Sequence, residues 1–379
     1  LRTAVFLWLS LGVGLMLKGP VVLIPSFGTP LALWLIERDK RWWSRLRPSW
    51  GWLLMLAVVV PWCVAIDVIS GGDFFSRAVG NNFLGKVAHG QQAHGLPPGF
   101  HLLVFALAFW PGSIFAALAI PAIWARRSLP EVRFLLCWIL PHWLVFELIA
   151  TKLPHYVLPT YPAIAVLTAA ALINWPEVRP KRLGRILLGA YGAVWAGVGI
   201  AFCVAGTVLL YKMEHMISVR EAIAMFGSLP LMAGAAVLLF QHQRRQAAFC
   251  AMGAAIIAQA GLFLAVIPNL QTIRLAPRAA ALFEESKPCA DSVLISTSYS
   301  EPSLVFLAGQ HTQLIGPVEA ARYLKKNPRC DLALVDRKDE PKFRSEFQKN
   351  GMNVLEYGRA SGINYSNGHH LDLGLFAPG

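Results

Sequence analysis

The sequence predicts a mainly α-helical membrane protein that ends in a small α/β domain. The chain has 379 residues, of which 56% are hydrophobic and 15% are charged. Its mean hydropathy of +0.51 is far above that of a water-soluble domain. Long apolar runs fill the chain as far as Ile267, and short alternating stretches follow from Pro268. We therefore expect a transmembrane domain over residues 1–267 and a soluble domain over residues 268–379.

The apolar runs are long enough to cross a bilayer as helices, which takes about 20 residues. On this measure we expect about nine spans, some of them short enough to need tilting or close packing. They are 3–17, 20–36, 51–66, 99–124, 134–150, 161–174, 186–211, 223–241 and 247–267. Pro111 and Gly112 interrupt the fourth run and predict a kink there.

Lys and Arg are unequally shared between alternate loops, with 14 in one set and 6 in the other. The richer set should face the cytoplasm. This places Lys18, the loop 67–98, the segment 151–162 and the soluble domain on the external side, which is the periplasm if the membrane is a bacterial inner membrane. Because the basic residues fall where membrane topology puts them, the formal net charge of +13 does not predict a nucleic-acid partner.

Beyond Pro268 the hydrophobic pattern is typical of alternating short strands and helices. Helix-like stretches are PRAAALFEESK, VEAARYLKKN and EPKFRSEFQKNG, and strand-like stretches are SVLISTS, TQLIG and LALVD. Two closing strand-like stretches flank Asn367-Gly368, a dipeptide typical of a tight hairpin turn. Together they predict an α/β domain of about 110 residues, an ordinary size for one domain.

The six cysteines fall into two groups. Cys289 and Cys330 each precede a strand-like stretch of the soluble domain. Neighbouring strands that start at the same end would bring the two sulfurs close, so we expect a disulfide if this domain lies in an oxidising compartment. The other four lie in apolar runs and are expected to behave as small buried side chains.

The segment 151–162, TKLPHYVLPTYP, interrupts the membrane part with three prolines and several polar side chains. Proline removes a backbone donor and disfavours helix at the preceding residue, so we expect non-helical backbone. Such backbone is stable near a bilayer only where protein or water satisfies its amides, which predicts that the segment lines a pocket. The alternative is an ordinary interfacial loop, with Lys152 reaching for the headgroups and the tyrosines in the aromatic belt.

Other polar groups lie on the same predicted side of the membrane. Lys18, in Leu-Lys-Gly-Pro, places an ammonium on a tight turn, either to meet a phosphate or merely to end a helix. His94 lies in a loop whose histidines lack the spacing of a metal site. Glu147 and His142 lie within a span, where ionisable side chains are costly and suggest function or a buried partner. Glu147 lies just over one turn before Lys152, so we expect an ion pair that positions Lys152.

These motifs in this order resemble bacterial glycosyltransferase family 39, which includes relatives of the protein O-mannosyltransferases and of the lipid A aminoarabinose transferases. The motifs are LKGP, a piece of the form HGxPPG, TKLPHYVLPTYPAIA and EPSLVFLAG. The third is the most specific, and the resemblance covers most of the chain. It implies the GT-C membrane fold and a hexosyl or pentosyl transferase.

The resemblance implies a polyprenyl-phosphate-linked sugar as donor, with lipid A, another glycolipid or a protein as acceptor. Lys18 and Lys152 would supply cations for the donor phosphate, since a leaving phosphate needs positive charge at the headgroup level. His94, His155 and Tyr156 would donate hydrogen bonds, and Glu147 and Tyr161 would support them. No cofactor is required by these residues, and a divalent metal is left open.

By the same resemblance, the catalytic carboxylate is expected in external loops upstream of Leu1. We therefore expect the chain to be N-terminally truncated and inactive by itself. The main alternative is a membrane transporter or lipid flippase with an external cap domain, although no internal repeat typical of transporters is found. A non-catalytic membrane scaffold with a binding cap is a third interpretation.

Overall fold

The computed structural model describes residues 1–39, 41–75, 96–149, 151–178, 181–216, 219–326, 328–349 and 351–379, without the side chains of Trp42 and Arg220. The chain forms two compact units. The first contains Leu1–Cys203 and Gly227–Ala258, and the second contains Val204–Phe226 and Gln259–Gly379.

Helices dominate the described part of the chain as far as Asn269. The α-helices are α1 (Arg2–Lys18), α2 (Leu23–Glu37), α3 (Arg41–Leu46), α4 (Pro48–Ser70), α5 (Asp73–Phe75), α6 (Phe100–Ala108), α7 (Ser113–Ala125), α8 (Pro130–Leu148), α9 (Tyr161–Ile173), α10 (Arg182–Glu214), α11 (Val219–Phe226), α12 (Leu229–Phe240) and α13 (Arg244–Gly261). Three 3-10 helices (Gly19–Val22, Pro154–Thr160 and Ile267–Asn269) and a π-helix (Leu262–Val266) complete this part.

In the described ranges, six helical stretches are long and apolar enough to cross a membrane, and the protein is therefore a multi-span membrane protein. They are Arg2–Glu37, Pro48–Ser70, Pro154–Ile173, Arg182–Glu214, Glu221–Phe240 and Arg244–Asn269. The pair α6 and α7, bent by 119°, would make a seventh. This bend lies at Pro111 and Gly112 and confirms the predicted kink.

In the described residues, helices occupy all nine predicted runs, and the count of about nine spans stays a prediction. The runs 3–17 and 20–36 correspond to α1 and α2, which the 3-10 helix Gly19–Val22 connects. The run 134–150 corresponds to α8, which carries Glu131, Arg133 and Glu147 and does not qualify as a span by itself.

Small residues allow close helix packing in the first unit. α1 packs on α4, where a Cβ on Gly12 would come within 2.9 Å of the Val58 Cβ. The Trp8 indole occupies the space beside Gly51 and donates a hydrogen bond to the Leu46 carbonyl at 2.6 Å. Such packing of glycines and alanines against larger side chains is typical of helices in a membrane.

In the second unit, a sheet of five strands forms the C-terminal part. The strands are β1 (Leu294–Ser296), β2 (Gln313–Leu314), β3 (Leu332–Asp336), β4 (Val354–Ile363) and β5 (His370–Pro378), and the helices are α14 (Leu275–Ser286), α15 (Pro302–Ala308), α16 (Pro317–Lys326) and α17 (Glu340–Gln348). The strand order is β2-β1-β3-β5-β4, with β1 parallel to β2 and β3, and β5 antiparallel to β3 and β4.

Side chains on the two faces of this sheet pack against different helices. Phe283 of α14 and Leu304 of α15 belong to the core on one face, whereas Leu324 of α16 and Phe343 of α17 belong to the core on the other. The predicted α/β domain is therefore confirmed. The hairpin between β4 and β5 is also confirmed, and Gly368 adopts the positive φ of 75° that its turn requires.

Charged side chains form a network beside β4 and β5. Arg359 donates to Glu340 at 2.6 Å, and Arg344 donates to the same carboxylate at 2.8 Å. Burial alone would raise the pKa of Glu340, but the hydrogen bonds from the two arginines outweigh it and hold this pKa below its usual range. The carboxylate thus stays ionised at neutral pH and ties α17 to β4.

A disulfide joins Cys289 to Cys330, with their Cα atoms 5.3 Å apart. The bond closes a loop with a sequence separation of 41 residues. We expect Cys289→Ser or Cys330→Ser to lower the free energy of unfolding by about 4 kcal/mol, because the unfolded chain regains the entropy of the open loop. Denaturant unfolding of the variants measures this difference.

The control for this prediction is reduction with dithiothreitol. It should lower the free energy of unfolding of the wild-type chain and leave that of Cys289→Ser unchanged. Thiol titration of the unreduced, denatured chain should find the four cysteines outside the disulfide, and all six after reduction. Six reactive thiols before reduction, in protein prepared from an oxidising compartment, would contradict the disulfide.

Candidate functional site

The segment 151–160 connects α8 to α9 in the first unit. Ile149 leaves α8 in an extended conformation, and Leu153 is extended as well. Pro154 then begins the 3-10 helix Pro154–Thr160, which leads directly into α9. The prediction of non-helical backbone is therefore right only for the first few residues. Pro154 suits a helix start, where a missing N–H costs nothing, and this explains the difference.

Two buried histidines from other helices hold the carbonyl groups of this segment. Nε2 of His101, in α6, lies 3.1 Å from the Leu153 carbonyl oxygen. Nε2 of His142, in α8, lies 3.0 Å from the Tyr156 carbonyl oxygen. The rings are only 1% and 0% exposed. Because a carbonyl oxygen only accepts hydrogen bonds, Nε2 carries the hydrogen in both of these contacts.

The sequence does not predict this positioning role of the two histidines. His101 lies at the start of the predicted run 99–124, and His142 stands out only as an ionisable residue within a span. The feature of the sequence that points to this role is the proline-rich segment. Proline has no backbone N–H, so buried carbonyl groups in this segment need hydrogen-bond donors from elsewhere. A histidine in an apolar helix beside such a segment is one source of them.

Glu147 binds the start of α6. Its carboxylate accepts hydrogen bonds from the backbone N–H groups of Gly99, at 2.9 Å, and His101, at 3.1 Å. One oxygen also lies 3.5 Å from Nδ1 of His101. A helix N-terminus has N–H groups without helical partners and a positive dipole end, and both favour a carboxylate.

The predicted ion pair between Glu147 and Lys152 is therefore wrong. The described residues show no contact between the two charged groups, since the carboxylate is taken by α6. The prediction assumed that α8 continues to Lys152. The helix instead ends at Leu148, and Ile149 is extended.

Lys152 is nearly inaccessible, with 3% of its surface exposed. Its Nζ donates a hydrogen bond to the Ile149 carbonyl at 2.7 Å. In the part of the chain that the structure describes, no carboxylate lies within ion-pair distance of this ammonium. Burying a cation without a counter-charge is costly, so this position favours binding of an anion.

The structure brings Lys18 close to the same segment. Lys18 is the exposed last residue of α1, and Gly19 follows it with a φ of 72°. The Lys18 charge acts through space on the imidazole of His155, which is also exposed. An exposed lysine of α1 and an exposed histidine of the segment therefore lie near each other in the first unit.

The two tyrosines differ in their surroundings. Tyr156 is half-buried, and its ring packs against Phe146 and His155 at centroid distances of 5.0 and 5.1 Å. Tyr161 packs against Phe105 and Phe109 at 5.8 and 5.0 Å, so its contacts are with α6 and the residue that follows it.

His94 lies outside the described residues.

Within the described ranges, one group of metal-ligating side chains lies close together: Cys289, Asp291 and Cys330. Its two sulfurs are bonded to each other. The residues of the segment 151–160 form no such group in the described part of the chain.

The chain has the GT-C fold, as its similarity to solved structures shows. The chain is similar to two crystal structures of ArnT from Cupriavidus metallidurans, one bound to undecaprenyl phosphate and one in the apo state. The TM-scores are 0.65 and 0.64 at 18% sequence identity, over 98% of this chain and 68% of each ArnT chain. No protein-family model matches the sequence.

The curated relatives are undecaprenyl phosphate-alpha-4-amino-4-deoxy-L-arabinose arabinosyl transferases. The protein from Pseudomonas paraeruginosa is 29% identical over 44% of this chain and 30% of its own length. The protein from Pseudomonas fluorescens is 26% identical over 57% of this chain and 38% of its own length. The protein from Sodalis glossinidius is 32% identical over 43% of this chain and 29% of its own length. The matched part thus spans about a third of these relatives.

The resemblance to the lipid A aminoarabinose transferases is confirmed by these relatives. The family number is corrected, because the relatives are aminoarabinose transferases and this narrower description replaces glycosyltransferase family 39. The comparisons do not favour the transporter or flippase alternative, since the similar proteins are named transferases.

Proposed function

We propose that this chain provides the donor-phosphate site of a membrane glycosyltransferase, which moves a sugar from a polyprenyl phosphate carrier to a lipid or protein acceptor. The observation that carries the proposal is Lys152, a buried ammonium whose hydrogen bond within the described chain is to a carbonyl group. The fold similarity to a protein crystallised with undecaprenyl phosphate supports a lipid-borne phosphate as its anion.

The chemistry of transfer explains why a buried cation is useful there. The donor is a phosphodiester with one negative charge. When the bond between the sugar and the phosphate oxygen breaks, the electron pair stays on the phosphate, which gains a second negative charge. An ammonium that is already in place and shielded from water stabilises this developing charge more than the starting charge, and so lowers the barrier.

The neighbouring residues have supporting roles in this proposal. Lys18 adds positive charge at the surface and attracts the anionic headgroup. His155 and Tyr156 are hydrogen-bond donors for the phosphate or the sugar. His101 and His142 act through the backbone of the segment, because their hydrogen bonds to the Leu153 and Tyr156 carbonyl groups fix its position.

The location and acceptor belong to the same proposal. Residues 1–267 form the transmembrane domain in a bacterial inner membrane, and residues 268–379 lie in the periplasm. The distribution of basic loops and the disulfide support this orientation. Lipid A, another glycolipid and a protein are the candidate acceptors, as the resemblance of the sequence motifs implies.

The test uses the chain in proteoliposomes with undecaprenyl phosphate and with its 4-amino-4-deoxy-L-arabinose derivative. We expect saturable binding of undecaprenyl phosphate to the chain, competed by the sugar-linked form. Transfer of labelled sugar to lipid A is measured in the same vesicles with the intact enzyme. Absence of binding would overturn the proposal, and movement of the donor between leaflets without sugar transfer would favour a flippase.

A further inference from the structure

A cavity of about 530 Å³ lies in the first unit, at the opposite end of α9 from the segment 151–160. The residues after α9 and the start of α13 line it. Leu172 and Phe249 contribute apolar surface, whereas Arg244, Arg245 and Gln246 contribute polar groups. It combines apolar walls with several polar groups, which is the combination that an amphipathic ligand requires.

Positive charge at this cavity is only partly neutralised. Arg244 donates a hydrogen bond to the Glu177 carboxylate at 2.6 Å, so the opposite charges of this pair neutralise each other. Arg245 is exposed and has no carboxylate partner among the described residues. The guanidinium of Arg126 lies 5.1 Å from the centre of the Trp175 ring, which also lines the cavity. The cavity is therefore suited to an anion.

The ends of the candidate membrane spans place this cavity at a boundary between membrane and water. Pro154–Ile173 and Glu221–Phe240 end beside it, and Arg244–Asn269 begins there. Tryptophan is enriched at such boundaries, and Trp175 lies at this one. Phe249 is 68% exposed on the membrane part, next to the polar wall. A ligand here would have its charge near the arginines and its apolar part along Phe249.

We infer that this cavity binds the phosphate headgroup of an anionic phospholipid, with its acyl chains against Phe249 and the apolar surface around it. The occupant is a lipid and not a soluble phosphate, because the polar wall at Arg245 continues directly into side chains of membrane-spanning helices. Basic pockets between helices at a membrane surface bind anionic headgroups by this combination of charge and apolar contact.

The experiment measures lipid binding to the purified chain by native mass spectrometry and by the rise in unfolding temperature that a bound ligand causes. The probes are phosphatidylglycerol, phosphatidylcholine and soluble glycerol phosphate. We expect phosphatidylglycerol to bind and to stabilise more than phosphatidylcholine. Arg245→Gln should weaken its binding about fivefold, which is the contribution of one basic residue near an anionic membrane surface.

Two further variants separate a site from general attraction to negative lipid. Arg244→Gln should weaken binding at least as much as Arg245→Gln, because it also releases the Glu177 carboxylate towards the cavity. Arg185→Gln removes the same charge from an exposed position of α10 outside the cavity lining, and it should leave binding within about twofold of wild type. If Arg245→Gln does not fold, Gln246→Glu takes its place and should produce the same loss.

Three results would overturn the inference. Equal binding of phosphatidylglycerol and phosphatidylcholine would remove the role of net charge. An equal loss of phosphatidylglycerol binding in Arg185→Gln and Arg245→Gln would mean that the lipid is held by unspecific charge attraction and not at the cavity. Equal stabilisation by glycerol phosphate would assign the cavity to a soluble phosphate.

Discussion

Lys152→Ala is expected to lower kcat/KM for transfer from a polyprenyl-phosphate-linked sugar by about 100- to 1000-fold in the intact enzyme, which is the usual effect of removing one group that stabilises a developing negative charge. The loss should be larger in kcat than in the affinity for undecaprenyl phosphate, because the second negative charge arises only as the sugar leaves. Steady-state transfer kinetics and a direct lipid-binding measurement together separate the two effects.

The variant should remain folded, because the Lys152 ammonium has no carboxylate partner among the described residues that its loss would leave buried and unpaired. Lys181→Ala is the matched control, since Lys181 is exposed at the membrane part and far along the chain from the segment. Lys152→Arg keeps the charge and should retain more activity than Lys152→Ala. If Lys152→Ala turns over at the wild-type rate, Lys152 is an ordinary buried residue and the proposed donor site loses its main support.

The membrane character and the α/β domain could be predicted from the sequence because both depend on local pattern. Long apolar runs form helices because a membrane offers backbone groups no partners outside the helix, and helices occupy the predicted runs. The alternation beyond Pro268 and the Asn367-Gly368 turn fix short strands in the same local way. The number of spans was harder to predict, because whether adjacent runs form one bent passage or two depends on packing.

The partners of the site residues could not be predicted from spacing. Glu147 lies five positions before Lys152 in the chain but binds residues 46 and 48 positions before it. The Leu153 carbonyl is similarly bound by a histidine 52 positions away. Such contacts depend on how α6 and α8 pack, and a single sequence does not contain that information. What the sequence did indicate was that a proline-rich segment and buried ionisable groups require partners.

Glu147→Ala is expected to lower the free energy of unfolding by about 4 kcal/mol. The substitution leaves the backbone N–H groups of Gly99 and His101 without their acceptor, and each hydrogen bond to a charged group contributes about 2 kcal/mol. It also releases the ring of His101 from the nearby carboxylate. Because the same ring holds the Leu153 carbonyl, we expect weaker binding of undecaprenyl phosphate as well.

Hydrogen exchange tests this prediction directly, since the amides of Gly99 and His101 should exchange faster in Glu147→Ala than in the wild type. Glu147→Gln keeps one acceptor oxygen and should lose about half as much stability. Glu131→Ala is the control, because Glu131 is an exposed glutamate in the first turn of the same helix and its loss should cost less than about 1 kcal/mol. Unchanged exchange at both amides, with stability equal to that of Glu131→Ala, would mean that Glu147 does not hold the start of α6 and that the segment 151–160 is positioned by other contacts.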